Sequence, residues 1–429
     1  MGFRVIAAKS ITLAALITVG LLSTNISMAK VMVLPKGVGI WKYAVRNYTS
    51  MSNSFNEDGE IKSTGDSFKQ NFKGEDLARE GKSSDLGVLA SEIKKFDYGA
   101  GSKGLLSGLD LGTLNVDVDA SVNAQIFATG YGVTDWLTVY AGVPYMTVDV
   151  TTDMRFVGTN NANDLKARLG DLSYEELKDG LSKAGNLNVY MVKESLAELG
   201  YTGVDSWNHQ GFGDINFGTM LASNFLFSHS VEISPYAKAN FTLPTGHVDD
   251  PNVLTDTSVG YGYFSSGFTG GGSVTYKKHF YVGLEGTYQL NQSHTSYVRK
   301  PENEWSSLAP IENLETITIE PGNKSEVSFY AGLDYSIFSA KIMFSDYYRA
   351  QDVVQGVASP LYDRFTVGTD QAALYQTLTA ALSTAELYQK GDFAIPVMLT
   401  MSHKKNLYGF NAAIDNYYEF ELASFYTFN

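Results

Sequence analysis

The chain has 429 residues, no cysteine and a formal charge of −14. That balance disfavours a nucleic-acid binder, whose partner demands a basic face, and the missing thiols exclude a disulfide framework or a cysteine zinc site. The only long apolar run lies in the first thirty residues, which excludes a bundle of membrane helices, each needing about 20 apolar residues.

Residues 1–29 read as a signal peptide. Arg4 and Lys9 make a basic start, "ITLAALITVGLL" (11–22) is an apolar centre too short to span, and "SMA" (27–29) has small residues at the cleavage positions. The exported unit is then 30–429, and only Lys30–Gly37 precede the first predicted strand, leaving no obvious N-terminal plug.

The first predicted strand is 38–48. The next, around "NVDVDASVNAQIFAT" (115–129), alternates for far longer than the usual 5–6 residues. Val116, Val118, Ala120, Val122, Ala124, Ile126 and Ala128 fall on one parity, and Asp117, Asp119, Ser121, Asn123, Gln125 and Thr129 on the other. Period two is the mark of a strand with unlike faces. Similar segments follow near 136–150, 212–226, 231–243, 260–276, 280–291, 326–337, 340–348, 393–401, 407–415 and 418–428. About twelve strands result. Short connectors at 130–135, 227–230, 277–279, Phe338-Ser339 and 402–406 alternate with long ones near 49–110, 151–211, 244–259, 299–322 and 349–391.

Long strands, and short turns opposite long loops, predict an all-β, transmembrane, antiparallel up-and-down barrel of the outer-membrane kind. The location expected for it is the outer membrane of a Gram-negative cell, with the lipid bilayer and the outer-membrane assembly machinery as partners. "YEFELASFYTFN" supports this. Its Tyr418, Phe420, Leu422, Tyr426 and Phe428 share one parity, as in the terminal strand that such machinery reads, although Asn429 follows. Three loop segments carry helical spacing: Ser173 with Glu176 as a capping box before Leu177 and Leu181; 189–199 ending at Gly200; and 370–389, with Leu374, Leu378, Leu382 and Ala385 before Gly391. Rim-capping is the simpler role for them, a lid the sharper one.

If the apolar parity meets lipid, Asp117, Asp119, Asp214, Glu232, Glu285 and Asp334 line the lumen against Lys42, Arg46 and Lys238, and this mainly acidic lining disfavours anions. Pro144, Pro235 and Pro396 each remove a ladder donor, and Gly270, Gly271 and Gly272 weaken a strand. These are candidate breaks in the wall, where an apolar molecule could leave sideways; an ordinary bulge is the plainer alternative. Catalytic signals are weak. The six histidines show no metal spacing, His209 in "NHQG" would need a serine on an adjacent strand to form a barrel hydrolase, and Asp249-Asp250 fall short of a calcium shell. No enzyme activity, cofactor or metal is expected.

"GYGVTDWLTVYAGVPYM" (130–146), "GFGDINFG" (211–218) and "PYAKANFTLPTG" (235–246), followed by "GYGYFSSGFTGGGSVTY", resemble the outer-membrane family described as "MetA-pathway of phenol degradation". The likeness covers roughly 110–290 and rests on turn and rim residues. It implies a barrel that moves aromatic or other apolar compounds across the outer membrane, similar in role to the fatty-acid channels. The expected function is therefore passive uptake of small, apolar or aromatic molecules. A structural or adhesive barrel acting through its loops is the alternative.

Overall fold

The computed structural model describes residues 33–49, 51–80, 85–99, 104–169, 174–302, 308–335, 337–356, 359–363 and 365–427. The predicted signal peptide, Ser173 of the predicted capping box and Phe428 of the terminal pattern lie outside the described residues.

Twelve strands form the wall: β1 Val38–Tyr48, β2 Asp110–Thr134, β3 Leu137–Val157, β4 in two segments Ser206–Phe212 and Ile215–Ala222, β5 Val231–Leu243, β6 Ser265–Tyr276, β7 Phe280–Asn291, β8 Lys324–Tyr335, β9 Phe338–Arg349, β10 Gln371–Ser383, β11 Val397–Phe410 and β12 Tyr417–Thr427. Each pairs antiparallel with the next in chain order, and β1 pairs with both β2 and β12, so the sheet closes on itself. The seam is in register from Val38↔Thr427 to Tyr48↔Tyr417. Most short connections lie at the end that carries both termini of the wall and most long ones at the other; the exceptions are 384–396 at the first end and 411–416 at the second.

Two predicted elements differ. The 370–389 segment is not a helix along its length, because Gln371–Ser383 is a wall strand and only Ala385–Lys390 is helical, ending at Gly391 with φ 81°. Leucines four apart, at 374, 378 and 382, share a helix face but also share a strand face, and here they all point outward. The predicted turn at 402–406 lies inside β11, where polar Ser402, Lys404 and Asn406 face inward. One strand missed and one strand split leave the predicted total of twelve intact.

The length of β2 (25 residues) and β3 (21 residues) also has a different cause from the one expected. Their upper halves rise past the neighbouring strands and carry an apolar core on the inner side. Leu114, Val116, Ala120 and Val122 are buried there, while Asp117 and Asp119 point out into solvent. Asp117 pairs there with Arg155 at 2.6 Å, both side chains more than half exposed. Asp117 and Asp119 therefore do not line the lumen. Period two separates two faces without saying which is inside. Where the outer neighbour is water, the apolar face turns inward.

A helical cap packs on this extension. Helices Gly74–Glu80, Asp85–Gly99, Ala162–Arg168, Glu175–Gly185 and Val189–Glu198 bury Leu77, Ile93, Leu165, Leu181 and Val192 against Leu111 and Leu114 of β2. Leu177 and Leu181 are buried as their spacing requires. Met51, Val259 and Ala413, from three loops, fold inward onto Val122, Met146 and Val148, so this side of the mouth is filled by an apolar cluster.

Arg299 ties the cap to the other loops. Its guanidinium donates to the carbonyls of Leu199 (2.8 Å), Gly200 (2.7 Å) and Ala309 (3.1 Å) and to Asn252 Oδ1 (2.7 Å). It also lies 3.8 Å from the centre of the Tyr201 ring. The first two carbonyls end the Val189–Glu198 helix, where a cation suits the helix dipole. Arg299→Met keeps the stem and strands these buried acceptors, at a cost of about 3 kcal/mol to the docking of the loops. We expect faster trypsin cleavage at Lys193 and Lys300 in the variant, with the heat-dependent gel shift of the barrel unchanged.

Candidate lumen and wall sites

The outward face of the wall is an apolar belt: Leu284, Phe329, Leu399 and Phe420 are each more than half exposed. The terminal strand follows the predicted parity, with Tyr418, Phe420, Leu422 and Tyr426 outward and Glu419 and Glu421 inward.

Of the predicted lumen residues, Glu232, Lys238, Glu285 and Asp334 do lie on the inward parity of β5, β7 and β8. They are joined by cations the sequence reading missed: Lys324, Lys341, Arg349 and Lys404. Two of these sit at strand ends and Lys404 fell in the supposed turn. The lining is thus charge-balanced rather than acidic. Lys42 pairs with Glu421 at 2.7 Å, Arg46 meets Glu419 through Nε (2.8 Å) and a terminal nitrogen (2.6 Å), and Lys404 reaches Asp415 at 2.7 Å. Lys238 stands 3.9 Å from Glu285, on β7, with β6 between them.

Glycines make these chords possible. A Cβ on Gly271 of β6 would meet the Tyr236 ring and the Glu285 Cβ at 2.9 Å. Without it, the Tyr236 ring lies flat over the wall and its hydroxyl donates to Glu285 two strands away. Tyr140 crosses β4 over Gly218 to reach Asn240 in the same manner. The Tyr281 ring lies on Gly332, and the Tyr330 ring on Gly283. The Tyr375 hydroxyl reaches across β9 to Glu326 at 2.5 Å. The inner wall is therefore clad in phenol rings, with charges of both signs among them, some in ion pairs (Lys42 with Glu421, Arg46 with Glu419) and some held by hydroxyls (Lys324 by Tyr261, Glu326 by Tyr375).

The predicted wall breaks divide sharply. Across Gly270, Gly271 and Gly272 the ladders to β5 and β7 run without a shift, Pro235 included; these positions leave no gap, because a residue without a Cβ or N–H still continues an extended chain. Pro396 lies outside the strand, one residue before β11, and its carbonyl accepts from Phe425 N–H at 3.0 Å. Pro144 does face a break. Its carbonyl accepts from Gly213 N–H at 2.9 Å, and the N–H it lacks would point the same way, toward the Gly213-Asp214 interruption of β4. Asp214 was predicted as a lining residue. Instead it is fully buried in that interruption and holds the 244–261 loop, accepting from Gly246 N–H (2.9 Å) and Tyr261 N–H (2.7 Å). Gly213, Gly246 and Gly260 pack backbone to backbone around it, a Cβ on Gly246 approaching Gly260 Cα to 2.9 Å. The Gly-Asp-Ile and Leu-Pro-Thr-Gly motifs are the two halves of this joint. Beside it, an apolar groove of about 660 Å³ opens on the outer face, lined by Trp41, Tyr43, Phe127, Ala141, Val143 and Ile215 among others.

His209 faces inward in a cluster of three rings, its centre 5.6 Å from Trp207 and 4.5 Å from His247, which are 5.9 Å from each other, and among the described residues it makes no hydrogen bond to a serine. His247 instead pairs with Asp256 at 3.0 Å. Asp249 accepts from Ser258 Oγ at 2.9 Å and Asp250 from Asn252 N–H at 2.8 Å, so the two carboxylates serve separate turns. Burial raises the Asp249 carboxyl above the usual range against that hydrogen bond.

No protein-family profile matches the chain, and no curated protein matches it. Among solved structures, it is similar to the COG4313 outer membrane channel from Pseudomonas putida F1 at 11% identity, covering 92% of this chain and 97% of that one with a TM-score of 0.49. The Ralstonia pickettii toluene transporter TbuX aligns at 9% identity over 94% and 92% with a TM-score of 0.29. A Pseudomonas aeruginosa FadL homologue aligns at 9% over the whole of both chains with a TM-score of 0.30.

The lumen pairs make a direct prediction. Glu421→Ala leaves the Lys42 ammonium without its partner and costs about 3–5 kcal/mol, whereas Lys42→Met with Glu421→Leu restores most of that. Urea unfolding of the single and double variants in detergent micelles gives the coupling.

Proposed function

We propose that the protein is an outer-membrane channel through which small aromatic or apolar molecules pass by diffusion. The observation that carries this reading is the pairing of two surfaces on one closed wall: an apolar exterior suited to acyl tails, and an interior of flat tyrosine rings with charges of both signs among them. A lining of this kind has no net field to select an ion by sign and offers π-faces to an aromatic solute. The resemblance to the phenol-degradation family points to the same cargo. Nothing in the reading calls for a reaction, so we assign no enzymatic role.

The covered mouth favours a second reading, a structural barrel whose cap and loops carry the function. Planar-bilayer recording separates the two. The channel reading expects small unitary steps with weak cation-to-anion preference, rising in conductance when Arg299→Met loosens the cap; a structural barrel gives no steps in either form. Liposome swelling then tests the cargo. Phenol-like solutes should enter faster than sugars of matched size, and equal slow rates would remove the aromatic preference.

A further inference from the structure

The turn between β6 and β7 is built from Lys277, Lys278 and His279, and two of its residues are in the wrong conformation for their type. Lys277 and Lys278 have φ of 50° and 65°, in the left-handed region that glycine or asparagine fills at least cost. Among the described residues Asn411, itself a tolerant type, is the only other non-glycine there. A strained pair at an exposed hairpin tip, where Asn-Gly would serve the fold better, needs a reason outside the fold.

We propose that this turn binds the phosphate of an anionic phospholipid headgroup. The inference rests on the reading above that the barrel is embedded in a bilayer, with the short turns at one membrane surface. The turn is held rigidly. His279 N–H donates to the Tyr276 carbonyl (3.1 Å), Lys277 N–H to Ser230 (2.7 Å), and Asp334 N–H to His279 (2.8 Å). The His279 ring stacks on Tyr335 at 4.5 Å. Tyr276, Phe280 and Tyr335 are half-exposed on the outward face immediately beside it, so the apolar belt ends here and the two ammonium groups stand where tails give way to headgroups. Among the described residues no carboxylate forms an ion pair with either lysine, although many other lysines of this acidic chain have one. Lys277 Nζ lies 5.3 Å from the centre of the Tyr276 ring, and phosphate oxygens are the complement of two adjacent ammonium groups presented by one rigid turn. Free phosphate offers the same oxygens, but only a lipid explains the flanking rings.

The test uses the full barrel in bilayer discs of equal phosphatidylcholine and phosphatidylglycerol, extracted gently and weighed intact by mass spectrometry. Wild-type protein should keep phosphatidylglycerol severalfold over phosphatidylcholine. The Lys277→Asn/Lys278→Gly variant suits the backbone, so it should unfold at a higher temperature yet keep both lipids equally. Equal retention by wild type, or an undiminished preference in the variant, overturns the proposal. Displacement of the lipid by millimolar inorganic phosphate would reassign the site to free phosphate and also overturns it. A barrel that never enters the discs refutes the embedded reading instead, a distinguishable failure.

Discussion

The whole structure depends on one constraint: every backbone donor and acceptor in the belt must be satisfied by a neighbouring strand. The seam between β1 and β12 meets it, joining the first strand of the wall to the last. Because it closes, the sheet has no edge, and outward positions are free to be apolar without inviting aggregation through unpaired strands. Arg46 and Glu419 stand opposite each other on the inner side of that seam, so an ion pair with two guanidinium nitrogens on Glu419 Oε2 fixes the register where closure is decided. Slipping by one residue would carry these charges to the apolar exterior.

Inside, the same economy recurs as ring over glycine. A tyrosine laid flat needs a neighbour with no side chain, and Gly218, Gly271, Gly283 and Gly332 supply it. This pairing accounts for part of the high glycine and tyrosine content (41 Gly and 27 Tyr). Rings that lie along the wall narrow the lumen without crossing it, and the hydroxyls of Tyr140 and Tyr236 reach an amide and a carboxylate two strands away. The joint at Asp214 applies the idea differently. Three glycines bring backbone segments together, and a buried carboxylate binds the amides that the broken strand and the loop leave over.

The barrel was legible in the sequence because its period-two pattern is enforced on every strand by two unlike solvents. The inward direction was not, for β2, since alternation is blind to which solvent lies on which side. Asp117 and Asp119 were misplaced for that reason. Gln371–Ser383 resembles a helix in sequence because a four-residue leucine repeat fits both periods. Lys404 was hidden in a polar run that reads as a turn until Asp415 is placed beside it at 2.7 Å. The joint at Asp214 had a signal, the Gly-Asp-Ile and Leu-Pro-Thr-Gly motifs, but its partners are far apart in the chain. Arg299 carried none, because its acceptors are backbone carbonyls of two separate segments and the side chain of Asn252 in a third.

Since the native chain contains no cysteine, single-cysteine variants give clean labels, and spin-label accessibility in reconstituted vesicles addresses the central claim most directly. Labels at Phe329 and Leu399 should be relaxed by dissolved oxygen and shielded from a water-soluble nickel chelate, labels at Ser328 and Thr400 should show the reverse or be shielded from both, and a label at Asp119 should be fully aqueous. Nickel access at Phe329 and Leu399 equal to that at Asp119 would mean that the outward face does not meet lipid, and would contradict the account.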